Sequence, residues 1–447
     1  MNFDAVKNSL IAAADAKGLT EYEVYFMESS VMSTETLKNE ISSFSSGVSG
    51  GVSFRCIVNG HMGSASTECL TEEEMCALVD RAIQNAGAIE SDDKAILYAG
   101  SDSYAELHLP ETETPTAAQL KQHALTMQQQ TYAASPYVTE GTQSAVFTDE
   151  IRMELMNSHG LRLSGRASMS GAYVQAVIQK DGESQEGFDW TLSMRDDAMK
   201  QVSVKALEQA TAKLGAVEIE SGKYDVIISG KKMRELLSAY SSVFSAKNAQ
   251  LGLSLLKGKK GEQIGATNLT LVDDPMRQDC PMQTSFDGEG VATYRKNVIE
   301  NGVLKTLLYD LATADRAGVS STGNGQRVGY SEGVSIRPFS FYIAEGTVSE
   351  EALLTRLKDG IYITEFKGMH AGCNAVTGDF SIESAGFAVR DGKRCEAIKS
   401  FTVAGNFFDL LKQIEALGDR VHFGIPSGFT CYGAPDVLIR QMSVAGK

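Results

Sequence analysis

GMHAGCNAVTGDFSIESAGFAVRDGKRCEAIKSFTVAGN, residues 368–406, is the stretch on which the reading of the fold turns. Thr377-Gly378-Asp379 predicts a turn, because glycine tolerates positive φ and aspartate hydrogen-bonds its own backbone. Phe380 and Ile382, then Phe387 and Val389, alternate as the two faces of a strand do, and Ala385-Gly386 marks a bulge or a close backbone approach. Asp391-Gly392 is a two-residue hairpin turn, and Cys395, Ala397 and Ile398 lead the return strand. Ala404-Gly405-Asn406 is expected to break that strand, and FFDLLKQIEAL (407–417) to follow as a helix.

Upstream, helical spacing of Phe3, Val6, Leu10, Ile11 and Ala14 predicts an amphipathic helix over 3–17. A strand is expected at 22–26, a turn in the Ser/Gly-rich residues 42–51, and a hairpin at Asn59-Gly60. Thr71 with Glu74 reads as a capping box for a second helix that runs to Ala86. Residues 88–114 read as loop, 116–133 as a Gln-rich helix, and 191–214 as a long helix. Between those two helices come strands to Val146, at 151–156 and at 161–178, with a turn at His159-Gly160. After a polar, Gly-bearing linker at 215–222 come a strand (224–228), a helix (231–245), and many strands interrupted by helices near 349–358 and 406–416. Strand runs broken by a few helices predict an α+β fold rather than a doubly wound parallel sheet. The expected division is an N-terminal domain of antiparallel strands with flanking helices, 1–218, with a sub-boundary near 88–114. A strand-rich C-terminal domain with few helices, 219–447, follows.

The 447 residues are 43% hydrophobic and 22% charged, enough for two or three domains of about 100–200 residues each. A net charge of −16 opposes generic binding to phosphate backbones or an anionic membrane surface. Nucleic acid and membrane are therefore not expected partners. Seven cysteines without a CxxC pair suit reduced thiols in a cytoplasm better than a disulfide framework. Asp15 and Lys17 interrupt the N-terminal apolar stretch before it reaches the length of a signal peptide.

TGDFS, AGF, the DG turn and TVAGN, in this order and spacing, resemble the C-terminal part of the TldD/PmbA family, also called modulators of DNA gyrase. The resemblance extends through VDDP (272–275), FDGEG (286–290), ENGVLKTLLYD (300–310) and STGNG (321–325) to the closing PDVLIRQMSVAGK (435–447). One branch of that family, the TldD type, is a zinc metallopeptidase. It carries His-Glu-x-x-x-His on the first helix of its C-terminal domain, where imidazoles hold the metal and the Glu acts as general base. Here that helix is KKMRELLSAYSSVFSAK (231–247), without a histidine; Ser238 and Ser242 fall near the ligand positions. Met233, Leu236, Leu237, Tyr240, Val243 and Phe244 form an apolar stripe along it. The chain thus resembles the PmbA (TldE) branch, whose members lack the motif and associate with the metallopeptidase subunit. The resemblance implies a cytoplasmic proteolytic complex acting on peptides or unfolded segments, with zinc in a TldD-type partner and none in this chain. A homodimer is a further expectation. The candidate peptide-binding surface is Gly368, His370, Gly372, Asn374, Thr377, Gly378 and Asp379, where Gly-rich backbone permits close approach.

Other chemistry is weaker. His370 and Cys373, with Cys395, His422 and Cys431 in the same half, match no zinc spacing, and Cys431 lies where the metal-bearing branch supplies a cysteine. Cys373 with His370 as base lacks an orienting third group. Asp273-Asp274, and Asp287 with Glu289, sit in turn contexts where acids hold backbone N–H groups. The GNG at 323–325 and the lysines at 257, 259 and 260 complete no phosphate loop. Two other classes stay open: a self-associating scaffold without catalysis, and a homomeric hydrolase with an unrecognised site.

Overall fold

The computed structural model describes residues 3–90, 94–110 and 112–447. The N-terminal half runs α1 (Phe3–Ala16), β1 (Tyr22–Leu37), β2 (Glu40–Val58), β3 (His61–Thr67), α2 (Glu72–Gly87) and α3 (Ala117–Ala134). It continues with β4 (Gln143–Asn157), β5 (Arg162–Lys180), β6 (Glu183–Thr191) and α4 (Asp196–Ala212). The strands form one antiparallel sheet in the order β3-β2-β1-β4-β5-β6. Its helices lie on one face: α1 and α2 bury Leu10, Met75 and Leu78 against Val24, Phe26 and Phe54. Further along, α3 and α4 bury Leu120, Met127 and Val202 against Val146 and Val174. The opposite face places Tyr25, Met27, Met153 and Leu155 against Cys280, Met282 and Phe286 of the C-terminal half. Residues 22–27 are therefore buried on both sides, Glu23 included, although their sequence alternates as a half-buried strand would.

The C-terminal half begins β7 (Gly222–Ile228), α5 (Gly230–Tyr240), a 3₁₀ turn (Ser241–Phe244), α6 (Ala246–Gln250), β8 (Leu271–Asp273), β9 (Lys296–Glu300) and β10 (Val303–Leu304). Then come α7 (Leu311–Ala317), β11 (Gly325–Gln326), β12 (Ser335–Ile336), β13 (Ser340–Ile343), α8 (Glu350–Leu357), β14 (Gly360–Lys367) and α9 (Met369–Gly372). It closes with β15 (Asp379–Arg390), β16 (Lys393–Asn406), α10 (Phe407–Lys412), β17 (Ile414–Leu417), β18 (His422–Phe423), β19 (Cys431–Ala434) and β20 (Val437–Ala445). Two six-stranded sheets result, β16-β15-β14-β7-β20-β17 and β10-β9-β8-β13-β19-β18. They sandwich α5, whose Met233, Leu236, Leu237 and Tyr240 pack with Val226, Ile361, Phe380, Phe341 and Phe407. The other face of the first sheet is covered by α8 through Leu353 and Leu357 against Tyr362, Phe387 and Val389. The architecture is α+β.

The 368–406 cassette is a hairpin, β15 turning at Asp391 (φ 47°) and Gly392 (φ 72°) into β16. The register shifts opposite Ala385-Gly386 against both neighbouring strands, with the extra residues in β14 (Thr364) and β16 (Lys399-Ser400). These two residues are thus the close-approach point, and the bulges lie in their partners. Five expectations change. The Ser/Gly residues 42–51 are not a turn but the middle of β2; the chain reverses at Lys38 (φ 55°) and Asn39 (φ 61°). Pairing with β1 overrides their low strand propensity. The helix expected over 191–214 runs only from Asp196 to Ala212, and Glu183–Thr191, where the sequence predicts no strand, form β6. Gly187 lets α4 lie on that strand, since a Cβ there would meet the Ala206 carbonyl at 1.9 Å. The expected helix at 407–417 stops at Lys412, and Ile414–Leu417 pairs with β20 as an edge strand. Ala404-Gly405-Asn406 does not break β16, which runs to Asn406. Thr71 caps α2 through the Glu74 N–H, but the Glu74 carboxylate bonds Arg81 at 2.6 Å instead of closing a box. Residues 88–114 are irregular where described; 91–93 and 111 lie outside the described residues.

Candidate functional site

Helix α5 puts its apolar stripe between the sheets, so the face turned away from them carries Glu235, Ser238 and Ala239. Opposite stands α9, a single turn entered through Gly368 (φ 67°). Between them runs a groove of about 350 Å³ lined also by Met369, His370, Cys373 and Ala375. Tyr240 fixes the two walls: its hydroxyl donates to the Asp379 carbonyl at 2.6 Å and pairs with the Cys373 thiol. Burial pushes the Tyr240 phenol and the Cys373 thiol above their ordinary ranges, so both are neutral donors near pH 7.

The structure separates the seven candidate surface residues. His370 is exposed at the groove wall. Gly372 faces the strand, where a Cβ would meet the Ser381 carbonyl at 2.5 Å. Asn374 Oδ1 accepts the N–H groups of Val376 and Thr377 at 3.0 and 3.2 Å. Asn406 Nδ2 donates to the Thr377 carbonyl and to Asp379 Oδ1, both at 2.9 Å. Gly378 (φ 84°) packs on the Phe408 ring. Asn374, Thr377, Gly378 and Asp379 thus hold the turn against α10, and His370 with Cys373 are the polar side chains of the loop that line the groove, beside Met369 and Ala375.

Glu235 is the only acid on α5, and its carboxylate bonds Lys232 at 2.6 Å. Counted from that Glu, Arg234-Glu235-Leu236-Leu237-Ser238-Ala239 has the spacing of His-Glu-x-x-x-His, with Arg234 and Ala239 in the histidine places. This register differs from the one that placed Ser238 and Ser242 there. The Glu could have anchored it from sequence. Among the described residues no three His, Cys, Asp or Glu side chains are grouped to hold a metal ion. Cys431 is buried beside the Gly424 carbonyl, and burial pushes its thiol up to about 11.

A wider cleft, about 530 Å³, opens between α4 and the N-terminus of α5. Most of its charges are already paired: Lys231 with Asp189, Lys213 with Glu365, Arg394 with Glu350. Asp436 accepts from the Gly230 N–H at 2.7 Å and the Tyr362 hydroxyl at 2.9 Å.

Asp273 of VDDP and both acids of FDGEG are buried anchors. Asp273 receives Lys296 Nζ at 3.0 Å, Asn324 Nδ2 at 2.8 Å and the Phe339 N–H at 2.7 Å. Asp287 accepts the N–H groups of Glu289, Val291 and Gly325. Glu289 accepts Leu311 N–H at 2.8 Å and lies in the field of Arg55. Burial and then the Asp287 charge push Glu289 up to about 8, so the pair keeps a proton near neutrality. A carboxyl raised above its unfolded value stabilises the fold most below that value, and this contribution is lost as pH rises through the raised one. Glu289→Gln should therefore gain on the wild type by about 2 kcal/mol between pH 6 and pH 9. Parallel denaturation of both proteins across that range reads it; a constant gap would show that Glu289 does not titrate there.

The fold is that of an α+β protein with a six-stranded N-terminal sheet packed over a two-sheet C-terminal half. Profiles for PmbA/TldA metallopeptidase domains match residues 22–86 (domain 1), 110–214 (central domain) and 221–446 (C-terminal domain). An uncharacterised protein of Methanocaldococcus jannaschii is 30% identical over 92% of this chain and 94% of its own length. The metalloprotease PmbA of Escherichia coli is 24% identical over 95% of this chain and 92% of its own. Among solved structures, a candidate modulator of DNA gyrase from Thermotoga maritima superposes with a TM-score of 0.88 at 28% identity, covering 99% of this chain and 100% of that one. TldE from Thermococcus kodakarensis shares the fold, with a TM-score of 0.88 at 22% identity and coverage of 99% and 100%. The chain belongs to the PmbA/TldD metallopeptidase family. No helix among the described residues is long and apolar enough to cross a membrane.

Proposed function

We propose that this chain is the PmbA/TldE-type subunit of a cytoplasmic metalloprotease acting on peptides or unfolded segments, with zinc held by a TldD-type partner. The observation that carries the reading is the groove face of α5. It keeps Glu235 at the place of the motif's general base and Ala239 where the metal branch has one imidazole, while Arg234, in the place of the other, turns away from the groove to the Phe423 carbonyl. Arg234 is always cationic, and alanine has no donor atom, so neither can ligate zinc. A carboxylate without a metal-bound water has nothing to activate, and Glu235 instead bonds Lys232. His370 and the α9 backbone would then line the path of an extended substrate toward the partner's metal.

The test is zinc content and peptide cleavage for this chain alone and with a TldD-type partner. Alone, no stoichiometric zinc and no cleavage are expected; together, chelator-sensitive cleavage. His370→Ala should alter the rate of the pair severalfold while its zinc stays bound. One zinc per isolated chain, lost on His370→Ala, would replace this reading with a homomeric hydrolase.

A further inference from the structure

The N-terminal sheet leaves one long edge open. Strand β2 pairs with β1 from Glu40 to Cys56, but β3 covers its other side only from Val52 to Val58. Over 40–51 no other strand lies beside it among the described residues. Residues 42–49 are exposed, including Phe44 at 39% and Val48 at 63%. An edge of that length presents a row of unpaired backbone N–H and C=O groups, and folded proteins usually blunt such edges with charge or proline. Ile41-Ser-Ser-Phe-Ser-Ser-Gly-Val-Ser-Gly-Gly51 has neither.

We propose that this edge pairs with the same edge of a second copy of the chain, the two β2 strands running antiparallel about a two-fold axis at Ser45. The two six-stranded sheets then join into one continuous sheet. Three observations select a second copy as the occupant. The free segment is bounded at one end by the Lys38-Asn39 turn and at the other by the start of β3 at Val52. With Ser45 as centre, each copy turns away just where the other's β3 takes over the edge, so the full free length is used without collision. The side chains are also self-complementary: Ile41 faces Ser49, Ser42 faces Val48, and Phe44 faces Ser46 of the other copy, so no two large residues oppose one another. Diagonal neighbours on that face bring Phe44 and Val48 of both copies together, covering the exposed apolar groups of the strand. Finally, the segment from Ile41 to Gly51 carries no charge of its own; Glu40 falls opposite Gly50, and the Lys121 ammonium stands 4.1 Å over the Phe44 ring beside the seam. A surface with a net charge of −16 elsewhere meets itself here along an uncharged strip.

This pairing is independent of the metallopeptidase reading. Ser45 sits on the axis, so Ser45→Glu sets two carboxylates face to face and Ser45→Lys two ammonium groups, while an equimolar mixture sets opposite charges there. Sedimentation over a range of concentrations is expected to show the wild-type chain as a dimer. Each variant should associate about two- to fivefold more weakly, as like charges directly opposed destabilise a strand pair, and the mixture should regain the dimer. Ser45 is exposed, so thermal unfolding of the variants should confirm intact folds. A wild type monomeric throughout, a Ser45→Glu protein that dimerises as tightly as the wild type, or a mixture that stays monomeric would each overturn the proposal.

Discussion

Arg327→Ala is expected to destabilise the protein by about 3–5 kcal/mol, the usual consequence of removing one member of a buried ion pair. Arg327 leaves the C-terminal half beside Gly325 and Gln326 and reaches into the N-terminal sheet, where it pairs with Glu23. The two side chains are 2% and 1% exposed. Arg55 bonds the same Glu23 oxygen, with Nη2 at 2.7 Å and Nε at 2.9 Å, and the Arg327 guanidinium lies 4.5 Å over the Tyr25 ring. Three carboxyls (Glu23, Asp287 and Glu289) thus share a dry site with two guanidiniums (Arg55 and Arg327), and the proton kept by Asp287 and Glu289 balances the charge. Alanine would leave an excess of negative charge buried between the halves. The double variant Glu23→Gln/Arg327→Met should recover a good part of the loss, because it removes both charges together. Equilibrium denaturation of the single and double variants measures this. A loss below about 1 kcal/mol, as for an exposed ion pair, would show that water reaches the site.

Gly386→Val should cost about 3 kcal/mol, within the upper range for overpacking a filled site. The Gly386 Cβ would stand 2.1 Å from the Tyr362 carbonyl oxygen and 3.0 Å from Ile363 Cα, both backbone atoms of β14 that cannot swing aside. The strands must separate at the bulge, between Phe387 on the α8 side and Ile382 on the α5 side. Gly333→Ala is the control, with no atom within 4 Å of its added Cβ. Equal melting temperatures for Gly386→Val and the control would mean that the bulge relaxes freely.

What the sequence by itself determined is local. The Thr377-Gly378-Asp379, Asp391-Gly392 and Asn59-Gly60 turns, the close approach at Gly386, the Thr116 start of α3 and the apolar stripe of α5 were all legible. In each case the cause lies within a few residues: a positive φ, a side-chain cap or a helical period. The family resemblance rests on the same short segments, which is why it too could be read without coordinates. Only the tertiary structure decided the rest. Residues 42–51 are a strand because β1 lies beside them, and their Ser/Gly composition alone predicts a turn. Ile414–Leu417 continues an apolar run that suits a helix or a strand, and the neighbouring β20 selects the strand. Asp287 and Glu289 look like ordinary turn acids until Arg327 and, from more than two hundred residues upstream, Glu23 and Arg55 close over them. Of the candidate surface, Asn374, Thr377 and Asp379 are exposed but spend their polar groups on the turn itself and on Asn406, and His370 faces the groove. Sequence spacing carries periodicity and turn chemistry, whereas burial, charge pairing and an open sheet edge depend on which distant segment arrives alongside.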